Sequence, residues 1–317
     1  MKYALHLSLA AIITATLTIA DGSSQIKART GAARTGTAQT GAGNTLIAAG
    51  DIASCPETGD EQTAKLIQSM LEKTPATIAA LGDLVYPTGK LETYKNCYGP
   101  TWGKFLKQTK AAIGNHDYSN GTSRDYTAYF GTAAGPNPDG YYSYDLGTGP
   151  ENRRGSWHVI VLNSNCWAVG GCQTGSKQYK WLQSDLEKNP TDCTVAYWHH
   201  PRFSSGLHGN NNFMQDVWAL LANTGVELIL NGHDHDYERF APLNAAGKPS
   251  EKGMREFVVG TGGKSQYPFL ITKPGSQVRK TGTFGVLELK LKTSSYDWRF
   301  VPVAGKTFTD SGSTDCH

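Results

Sequence analysis

The chain has 317 residues and a formal net charge of +3 at pH 7, from 30 lysines and arginines against 27 aspartates and glutamates. This near balance, with no long basic run, gives no support to binding of nucleic acid or of a membrane surface. The hydrophobic fraction of 38% is ordinary for a soluble globular protein, and residues 45–317 fit one large domain.

The first 20 residues have the features of a secretory signal peptide. A lysine at position 2 precedes an apolar stretch over residues 4–20, and small residues occupy its last and third-last positions. An uncleaved membrane anchor is the alternative, but the apolar core is short and no basic flank follows it. Cleavage after about Ala20 predicts a secreted or periplasmic protein that is not attached to a membrane.

Residues 21–44 form a low-complexity segment of alanine, threonine and glycine with no large apolar side chain after Ile26. Such a segment cannot bury enough surface to offset its ordering entropy, so we predict a disordered linker. The folded domain is then expected to cover residues 45–317.

Six cysteines in an exported chain are expected to pair as disulfides. Cys166 and Cys172 flank the sequence Trp-Ala-Val-Gly-Gly, whose glycines let a short loop close, so we predict this bridge. The spacing does not assign partners to the other four cysteines. Metal binding by thiolates is the alternative, but no paired CxxC motif supports it.

Strand and helix patterns alternate along the chain from residue 45. Apolar runs predict strands over 45–51, 76–83, 110–117, 157–164, 193–200 and 226–230. Helical spacing of apolar residues predicts helices over 60–73, 176–188 and 212–223. Three later strands are predicted over 255–260, 284–291 and 296–303. This order predicts an α/β layered sandwich with a mixed sheet.

Three aromatic and glycine-rich segments interrupt this alternation, at 94–102, 118–129 and 139–144. Because they lack apolar periodicity, we predict loops over a crevice, where ligand choice would be made. Packing of tyrosine and tryptophan side chains under long loops is the alternative.

Polar side chains follow the ends of five predicted strands. They are Asp51, Asp83, Asn115, His199 and the pair His233 and His235. Each alone is explained by a turn, a helix cap or a loop. In open α/β sheets, however, such strand ends line one crevice. Together these residues predict that five segments bring metal-binding groups to one edge.

His233 and His235 follow Gly232, where the strand is expected to stop. If the backbone is extended there, the two side chains point to opposite sides. The two imidazoles then cannot easily bind the same metal ion, whereas two adjacent metal ions can each bind one imidazole. The pair therefore predicts a dinuclear site with further ligands elsewhere.

Five short motifs carry a resemblance to a known family. They are GD at 50–51, GDLVY at 82–86, GNHD at 114–117, HHP at 199–201 and GHDH at 232–235, which continues into DYER. With them the sequence closely resembles the calcineurin-like metallophosphoesterases and, on Tyr86 and GHDHDYER, the purple acid phosphatases among them. The resemblance implies a four-layer αββα sandwich with mixed sheets, in the compact single-domain form, as the catalytic domain over 45–317.

The resemblance also implies a centre of two metal ions. The first ion, ferric iron in the subgroup, is implied to bind Asp51, Asp83, Tyr86 and His235. The second, a divalent iron, zinc or manganese ion, is implied to bind Asn115, His199 and His233, with Asp83 bridging to the first. Two divalent ions are the alternative, in which Tyr86 is a packed aromatic residue beside the site.

Three further histidines lie in the matching motifs or near them. The family places histidines at the positions of His116 and His208, so the resemblance implies that both stabilise phosphoryl charge and that His208 protonates the leaving alkoxide. A loop histidine in a flexible polar stretch is the alternative for His208. His200 either approaches the phosphate or is a partly exposed neighbour.

The implied function is that of a secreted phosphatase of the acid type. It would hydrolyse phosphate monoesters of small molecules or phosphoproteins by attack of a metal-bound hydroxide. A phosphodiesterase or alkaline-range phosphatase with two divalent ions is the alternative. A non-catalytic binding protein on the same fold is a third, which the complete ligand set disfavours because such a protein has no chemical need for it.

Overall fold

The computed structural model describes residues 44–147 and 156–317. The predicted signal peptide and nearly all of the predicted linker lie outside these ranges. Within them, no helix has the length and apolar character needed to cross a membrane.

The first β-sheet has six strands. They are β1 (Asn44–Ala49), β3 (Ala76–Leu81), β5 (Thr109–Ala112), β13 (Gly285–Leu291), β14 (Ser295–Pro302) and β15 (Ser311–Asp315). Their order across the sheet is β15-β14-β13-β1-β3-β5. Because β1, β3 and β5 are parallel, their carboxyl ends meet at one edge. Just beyond that edge, β2 (Ala53–Ser54) and β4 (Val85–Tyr86) form a short parallel pair.

The second β-sheet has seven strands. They are β6 (Tyr142–Leu146), β7 (Trp157–Val161), β8 (Cys193–Tyr197), β9 (Leu228–Asn231), β10 (Tyr237–Phe240), β11 (Arg255–Val259) and β12 (Ser276–Lys280). Their order is β12-β10-β11-β9-β8-β7-β6. β7, β8, β9 and β11 are parallel, while the outer pairings are antiparallel. Both sheets therefore combine parallel and antiparallel strand pairs, which makes them mixed sheets, as the sequence predicts.

The helices are short. They are α1 (Gly59–Leu71), α2 (Leu91–Thr93), α3 (Arg124–Phe130), α4 (Lys177–Lys188) and α5 (Gln215–Asn223). A π-helical turn at Tyr94–Tyr98 and 3₁₀ segments at Trp102–Gln108, Gly131–Ala134 and Asn212–Met214 adjoin them. At the start of α4, Ser176 Oγ accepts a hydrogen bond from Tyr179 N at 3.4 Å, a side-chain cap.

Alternate side chains of the second sheet enter two hydrophobic clusters. Val159 of β7 joins the cluster that contains Leu46 of the first sheet. Its neighbour Ile160 joins a cluster with Leu182 of α4 and Leu221 of α5. α1 packs against β13 of the first sheet. The layers are thus helix, sheet, sheet and helix, and the predicted αββα sandwich is confirmed.

The predicted strands extend too far at their carboxyl ends. The strand predicted over 110–117 ends at Ala112, and the one predicted over 45–51 ends at Ala49. The motif residues leave the ladder because their amides bond elsewhere: Asp51 N donates to Gly82 O at 3.0 Å. The helix predicted over 212–223 begins as a 3₁₀ turn and becomes α-helical only at residue 215.

The three segments predicted as loops contain regular structure. The π-helical turn lies in 94–102, most of α3 lies in 118–129, and β6 begins in 139–144. The alternative, aromatic packing, is confirmed for four side chains that are buried, namely Tyr94, Tyr98, Trp102 and Tyr126. Short helices of this kind depend on tertiary packing rather than on periodicity, which is why the pattern did not predict them.

Three disulfides link the six cysteines. Cys166 is bonded to Cys172, as predicted. Cys55 is bonded to Cys97, and Cys193 of β8 is bonded to Cys316. The last bridge joins residues 123 positions apart, and it holds the end of the chain against the second sheet.

An ionic triad around the buried ring of His158 joins the edge of the second sheet to α4. His158 of β7 places Nδ1 at 2.7 Å from Asp145 Oδ1 and Nε2 at 2.8 Å from Asp185 Oδ2. Ser143 Oγ donates to the other oxygen of Asp185 at 2.7 Å. Burial opposes protonation of His158, but the hydrogen bonds and charges of the two carboxylates outweigh it and raise its pKa. The two carboxylates therefore favour the imidazolium form of the ring.

We predict that His158→Gln lowers the free energy of unfolding by about 2 kcal/mol at pH 5.5, because it removes the charge-assisted hydrogen bonds of a buried ring to two carboxylates that are themselves partly exposed. A histidine with a raised folded-state pKa stabilises fully below its unfolded pKa of about 6.5, and this contribution is lost as the pH rises through the folded value. Urea unfolding should therefore show a smaller difference at pH 9. Lys177→Gln, which breaks an exposed ion pair with Asp139, serves as a control with a cost of at most about 1 kcal/mol. An equal cost for His158→Gln at both pH values would contradict the charged triad.

Candidate metal centre

The predicted ligands follow strand ends in both sheets. Asp51, Asp83 and Asn115 come after β1, β3 and β5 of the first sheet, Tyr86 ends β4, and His199, His233 and His235 come after β8 and β9 of the second. Because both groups of parallel strands end on the same side, these side chains meet where the two sheets adjoin.

Four of the residues form one cluster around the hydroxyl of Tyr86. Tyr86 Oη lies 2.8 Å from Asp51 Oδ1, 3.1 Å from Asp83 Oδ2 and 3.0 Å from His235 Nε2. His235 Nε2 is also 3.3 Å from Asp51 Oδ1. Three oxygen atoms and one imidazole nitrogen, all of which can act as metal ligands, therefore lie close together.

A second cluster adjoins the first through Asp83. His199 Nε2 lies 3.2 Å from Asp83 Oδ2 and 3.3 Å from His233 Nδ1. The amide of His116, which follows Asn115 in the chain, donates to Asp83 Oδ1 at 2.7 Å. Asp83 thus contacts residues of both predicted metal positions.

Backbone carbonyls orient two of the imidazoles. Nδ1 of His199 lies 2.9 Å from Leu81 O, and Nδ1 of His235 lies 2.7 Å from Ser265 O. A carbonyl oxygen only accepts hydrogen bonds, so Nδ1 of each ring carries the proton. Nε2 of each ring then faces the cluster, the orientation found in metal-binding histidines.

The chain bends sharply at three of the predicted ligands. Asp51, Asp83 and His233 have positive φ values of 59°, 50° and 72°, a region that costs a non-glycine residue free energy. The condition of an extended backbone, on which the sequence analysis placed the two side chains on opposite sides, is therefore not met at His233. His233 and His235 diverge because the turn separates them, and His233 N donates to Asp51 Oδ2 at 2.8 Å within it.

The charges of the cluster favour cations. Burial opposes ionisation of Asp83, but His199 and His116 outweigh it and hold the pKa of Asp83 below its usual range. Burial and the charge of His199 lower the pKa of His233, which keeps that ring neutral. Burial, with Asp51 and Asp83, raises the pKa of Tyr86 well above its usual value. An anionic carboxylate next to a neutral imidazole is a donor set for metal ions.

The residues present fit metal binding. The ligand atoms of Asp51, Asp83 and His199 lie close enough together to hold an ion, and so do those of His199, His200 and His233, a group that overlaps the first at His199. Asn115 Oδ1 is buried and, in the described part of the chain, accepts no hydrogen bond. A buried amide oxygen without a partner is costly unless something else satisfies it, and a metal ion would do so.

Three other histidines surround the cluster. His116 Nδ1 lies 2.8 Å from Pro87 O, and its ring is 4.6 Å from that of Tyr86. The His208 ring lies 4.4 Å from the ring of His233 and is exposed to solvent. The ring of His200 lies 4.3 Å from the same histidine. All three are thus close enough to reach a ligand bound at the cluster.

The family model of the calcineurin-like phosphoesterases matches residues 45–237, which contain all seven predicted ligands. The chain belongs to this family. Purple acid phosphatase 15 of Arabidopsis thaliana is 26% identical over 214 residues, 56% of this chain and 38% of that protein. Probable inactive purple acid phosphatase 9 of the same plant is 23% identical over 284 residues, 70% of this chain and 41% of that protein. This phosphoesterase-family chain therefore spans less than half the length of these two relatives.

Solved structures share the phosphoesterase fold. The purple acid phosphatase PPD1 from yellow lupin (Lupinus luteus) seeds has a TM-score of 0.68 and 19% identity, covering 86% of this chain and 53% of that one. GAP50, described as the anchor in the inner membrane complex of Plasmodium, also has a TM-score of 0.68, with 17% identity and coverage of 86% and 89%. At these identities the likeness shows the fold alone.

Two residues that the sequence interpretation did not use support the centre. Asp117 is wholly buried and accepts hydrogen bonds from Leu84 N at 2.9 Å, Gly114 N at 2.7 Å and Tyr94 Oη at 2.8 Å. Asp117 thereby links the turns that carry Asp83 and Asn115. Its position at the end of the GNHD motif could have indicated this supporting role. Tyr267 stacks on His235 with ring centroids 4.2 Å apart. No pattern in its irregular segment predicts this contact.

The positive φ of His233 gives a prediction about backbone strain. Glycine at an ordinary position is less stable than alanine by about 0.5–1 kcal/mol. At φ 72° we expect the opposite order, with His233→Gly more stable than His233→Ala by about 1 kcal/mol. Thermal unfolding of the two variants in the presence of a chelator measures the difference. A lower stability of the glycine variant would show that the turn is not strained.

Proposed function

We propose that the protein is a secreted metal-dependent phosphatase of the acid type, which hydrolyses phosphate monoesters of small molecules or phosphoproteins. The observation that carries this proposal is the position of the Tyr86 hydroxyl, 2.8 Å from Asp51, 3.1 Å from Asp83 and 3.0 Å from His235. A phenolate is a hard anionic ligand that suits a trivalent ion. The relatives named as purple acid phosphatases support the same assignment.

Two metal ions are proposed, ferric iron and a divalent iron, zinc or manganese ion. Asp51, Asp83, Tyr86 and His235 would hold the first, and Asn115, His199 and His233 would hold the second, with Asp83 shared. When bound, a pair of ions about 3.5–4 Å apart supplies a clamp for phosphoryl oxygens and a hydroxide nucleophile that the trivalent ion keeps available at acidic pH.

The histidines beside the cluster provide the rest of the proposed mechanism. His116 Nδ1 contacts Pro87 O, and Nε2 remains at 4.0 Å from Asp83 Oδ2, so this ring faces the cluster, and as an imidazolium it can donate from Nε2 to a phosphoryl oxygen. Such a donor stabilises the charge that develops in the transition state. His208 lies at the exposed side of His233, where it can protonate the departing alkoxide.

Export from the cytoplasm is part of the proposal. The predicted signal peptide supports it, and so do the three disulfides that use every cysteine of the chain. Disulfides of this number are typical of oxidising compartments.

A phosphodiesterase or alkaline-range phosphatase with two divalent ions is the second candidate. It is favoured by the raised pKa of Tyr86, which burial and the carboxylates of Asp51 and Asp83 cause. A tyrosine that keeps its proton is a hydrogen-bond donor to the two carboxylates rather than a metal ligand. A non-catalytic protein is the third candidate, and the name of the probable inactive relative favours it.

The first test is metal analysis and visible absorption of the purified protein and of Tyr86→Phe. We expect iron with one divalent metal per chain and a tyrosinate-to-iron charge-transfer band that disappears in the variant. Tyr267→Phe, which changes a tyrosine stacked on His235, is the control and should keep the band. A colourless protein with two zinc or manganese ions that hydrolyses phosphoesters would select the second candidate.

A second test addresses the proton donor. His208→Ala should lower kcat for an alkyl phosphate such as glycerol phosphate by about 100-fold, because a poor leaving group needs protonation. For nitrophenyl phosphate, whose leaving group is stable as an anion, we expect a loss of less than about threefold. Steady-state kinetics on the two substrates measure the ratio, and equal losses would argue against this role.

A further inference from the structure

The segment 202–208 carries His208 to the mouth of the centre without forming a helix or a strand. We call it the histidine loop. Amides outside regular structure need other hydrogen-bond acceptors when they are buried. In the histidine loop the acceptors are side chains, and most of them are buried carboxylates.

Two of these carboxylates fix the first part of the loop. Glu256 Oε1 accepts from Arg202 N at 2.8 Å and from Phe203 N at 3.2 Å. Glu238 Oε2 accepts from Ser205 N at 2.7 Å. Both glutamates are wholly buried and stand on β11 and β10 of the second sheet. The loop therefore rests on rigid strands.

Asp234 fixes the part of the loop that carries the histidine. Its Oδ1 accepts from His208 N at 2.8 Å, and its Oδ2 accepts from Ser204 Oγ at 2.5 Å. Ser204 Oγ in turn accepts from Gly206 N at 2.9 Å. Asp234 is wholly buried, so both of its oxygens serve the histidine loop. In sequence it lies between two predicted ligands, one of each metal.

The close fit of Asp234 under the loop requires a glycine. A Cβ atom at position 206 would lie 2.4 Å from Cγ and 2.6 Å from Oδ1 of Asp234. Contacts this short do not occur, so a side chain at position 206 would push the loop away from the carboxylate. Gly206 of the histidine loop and Asp234 of the turn that carries His233 and His235 are therefore in direct contact, and a change at either residue would disturb it.

We propose that Asp234 is a positioning residue that sets the imidazole of His208 against His233, where the leaving group departs. The proposal rests on the proposed phosphatase function and assigns its proton donor a fixed place. The turn that presents His233 and His235 to the metals also holds the amide of His208, so one element aligns the donor with the metal ions. Without this contact His208 remains in the chain but is not aligned, and misplacement by about 1 Å can cost about 100-fold in rate.

The test compares Asp234→Ala and Gly206→Ala, which break the contact from its two sides. In both variants we expect kcat for glycerol phosphate to fall at least about tenfold, and kcat for nitrophenyl phosphate to fall less than about threefold. In the His208→Ala background, either change should add little further loss, because residues that act through one another are not additive. Metal content should stay at the wild-type value.

Two further variants serve as controls. In Asp234→Asn, the amide oxygen can still accept from His208 N and the amide nitrogen can donate to Ser204 Oγ, so we expect nearly wild-type kinetics. Glu256→Gln disturbs the same loop at Arg202 and Phe203, at the opposite end from His208. We expect it to lower stability without changing the ratio of rates on the two substrates.

Amide hydrogen exchange separates this proposal from the proposed function. The His208 amide should be protected in the wild type and in Glu256→Gln, and it should exchange quickly in Asp234→Ala and Gly206→Ala. Unchanged exchange in those two variants, additive kinetic losses, or loss of metal from both would overturn the positioning role. If His208→Ala shows no dependence on the leaving group while the exchange result holds, the proton donor of the proposed function fails, and the catalytic consequence assigned to Asp234 fails with it.

Discussion

The carboxylate of Asp83 is the group on which the arrangement of the centre depends. Oδ2 lies 3.1 Å from Tyr86 Oη and 3.2 Å from His199 Nε2, and Oδ1 accepts from His116 N at 2.7 Å. Tyr86 and His116 follow the first sheet, whereas His199 follows the second. A buried anion is tolerated only where partners of opposite charge or hydrogen-bond donors surround it. The two sheets must therefore keep their relative position for this one charge to be satisfied, and the metal ligands are brought together as a consequence.

The strain at the strand ends follows from the same requirement. Asp51, Asp83 and His233 have positive φ values, and each such residue costs roughly 1–3 kcal/mol. The strands that precede them consist mostly of buried apolar residues in parallel ladders, which resist local unfolding. Strained turns placed directly after stable strands let the side chains reverse into the centre while the backbone stays fixed. The backbone strain is therefore located at the residues that set the geometry of the predicted ligands.

Much of this could be predicted from the sequence, because the fold and the ligand turns leave local signals. Apolar runs predict the parallel strands, and the motif residues directly after them predict the position of the centre. The ends of the strands could not be placed, since a ladder stops where amides find other partners, as Asp51 N does with Gly82 O. The stacking of Tyr267 on His235 joins segments with no shared pattern. The aromatic segments at 94–102 and 118–129 were predicted as loops because their helical turns depend on burial of Tyr94 and Tyr126.

Buried carboxylates take the place of secondary structure around the centre. Asp117 accepts two amides from the ligand turns, and Glu256, Glu238 and Asp234 accept amides of the histidine loop. A carboxyl group has two oxygens that can accept hydrogen bonds, so it satisfies several amides at once. Glu238 and Glu256 stand on strands of the second sheet, Asp234 lies in the turn between β9 and β10, and Asp117 lies in the turn after β5. Irregular segments at the mouth thus take their geometry from the sheets, and groups that act on a ligand can be held in place although no helix or strand contains them.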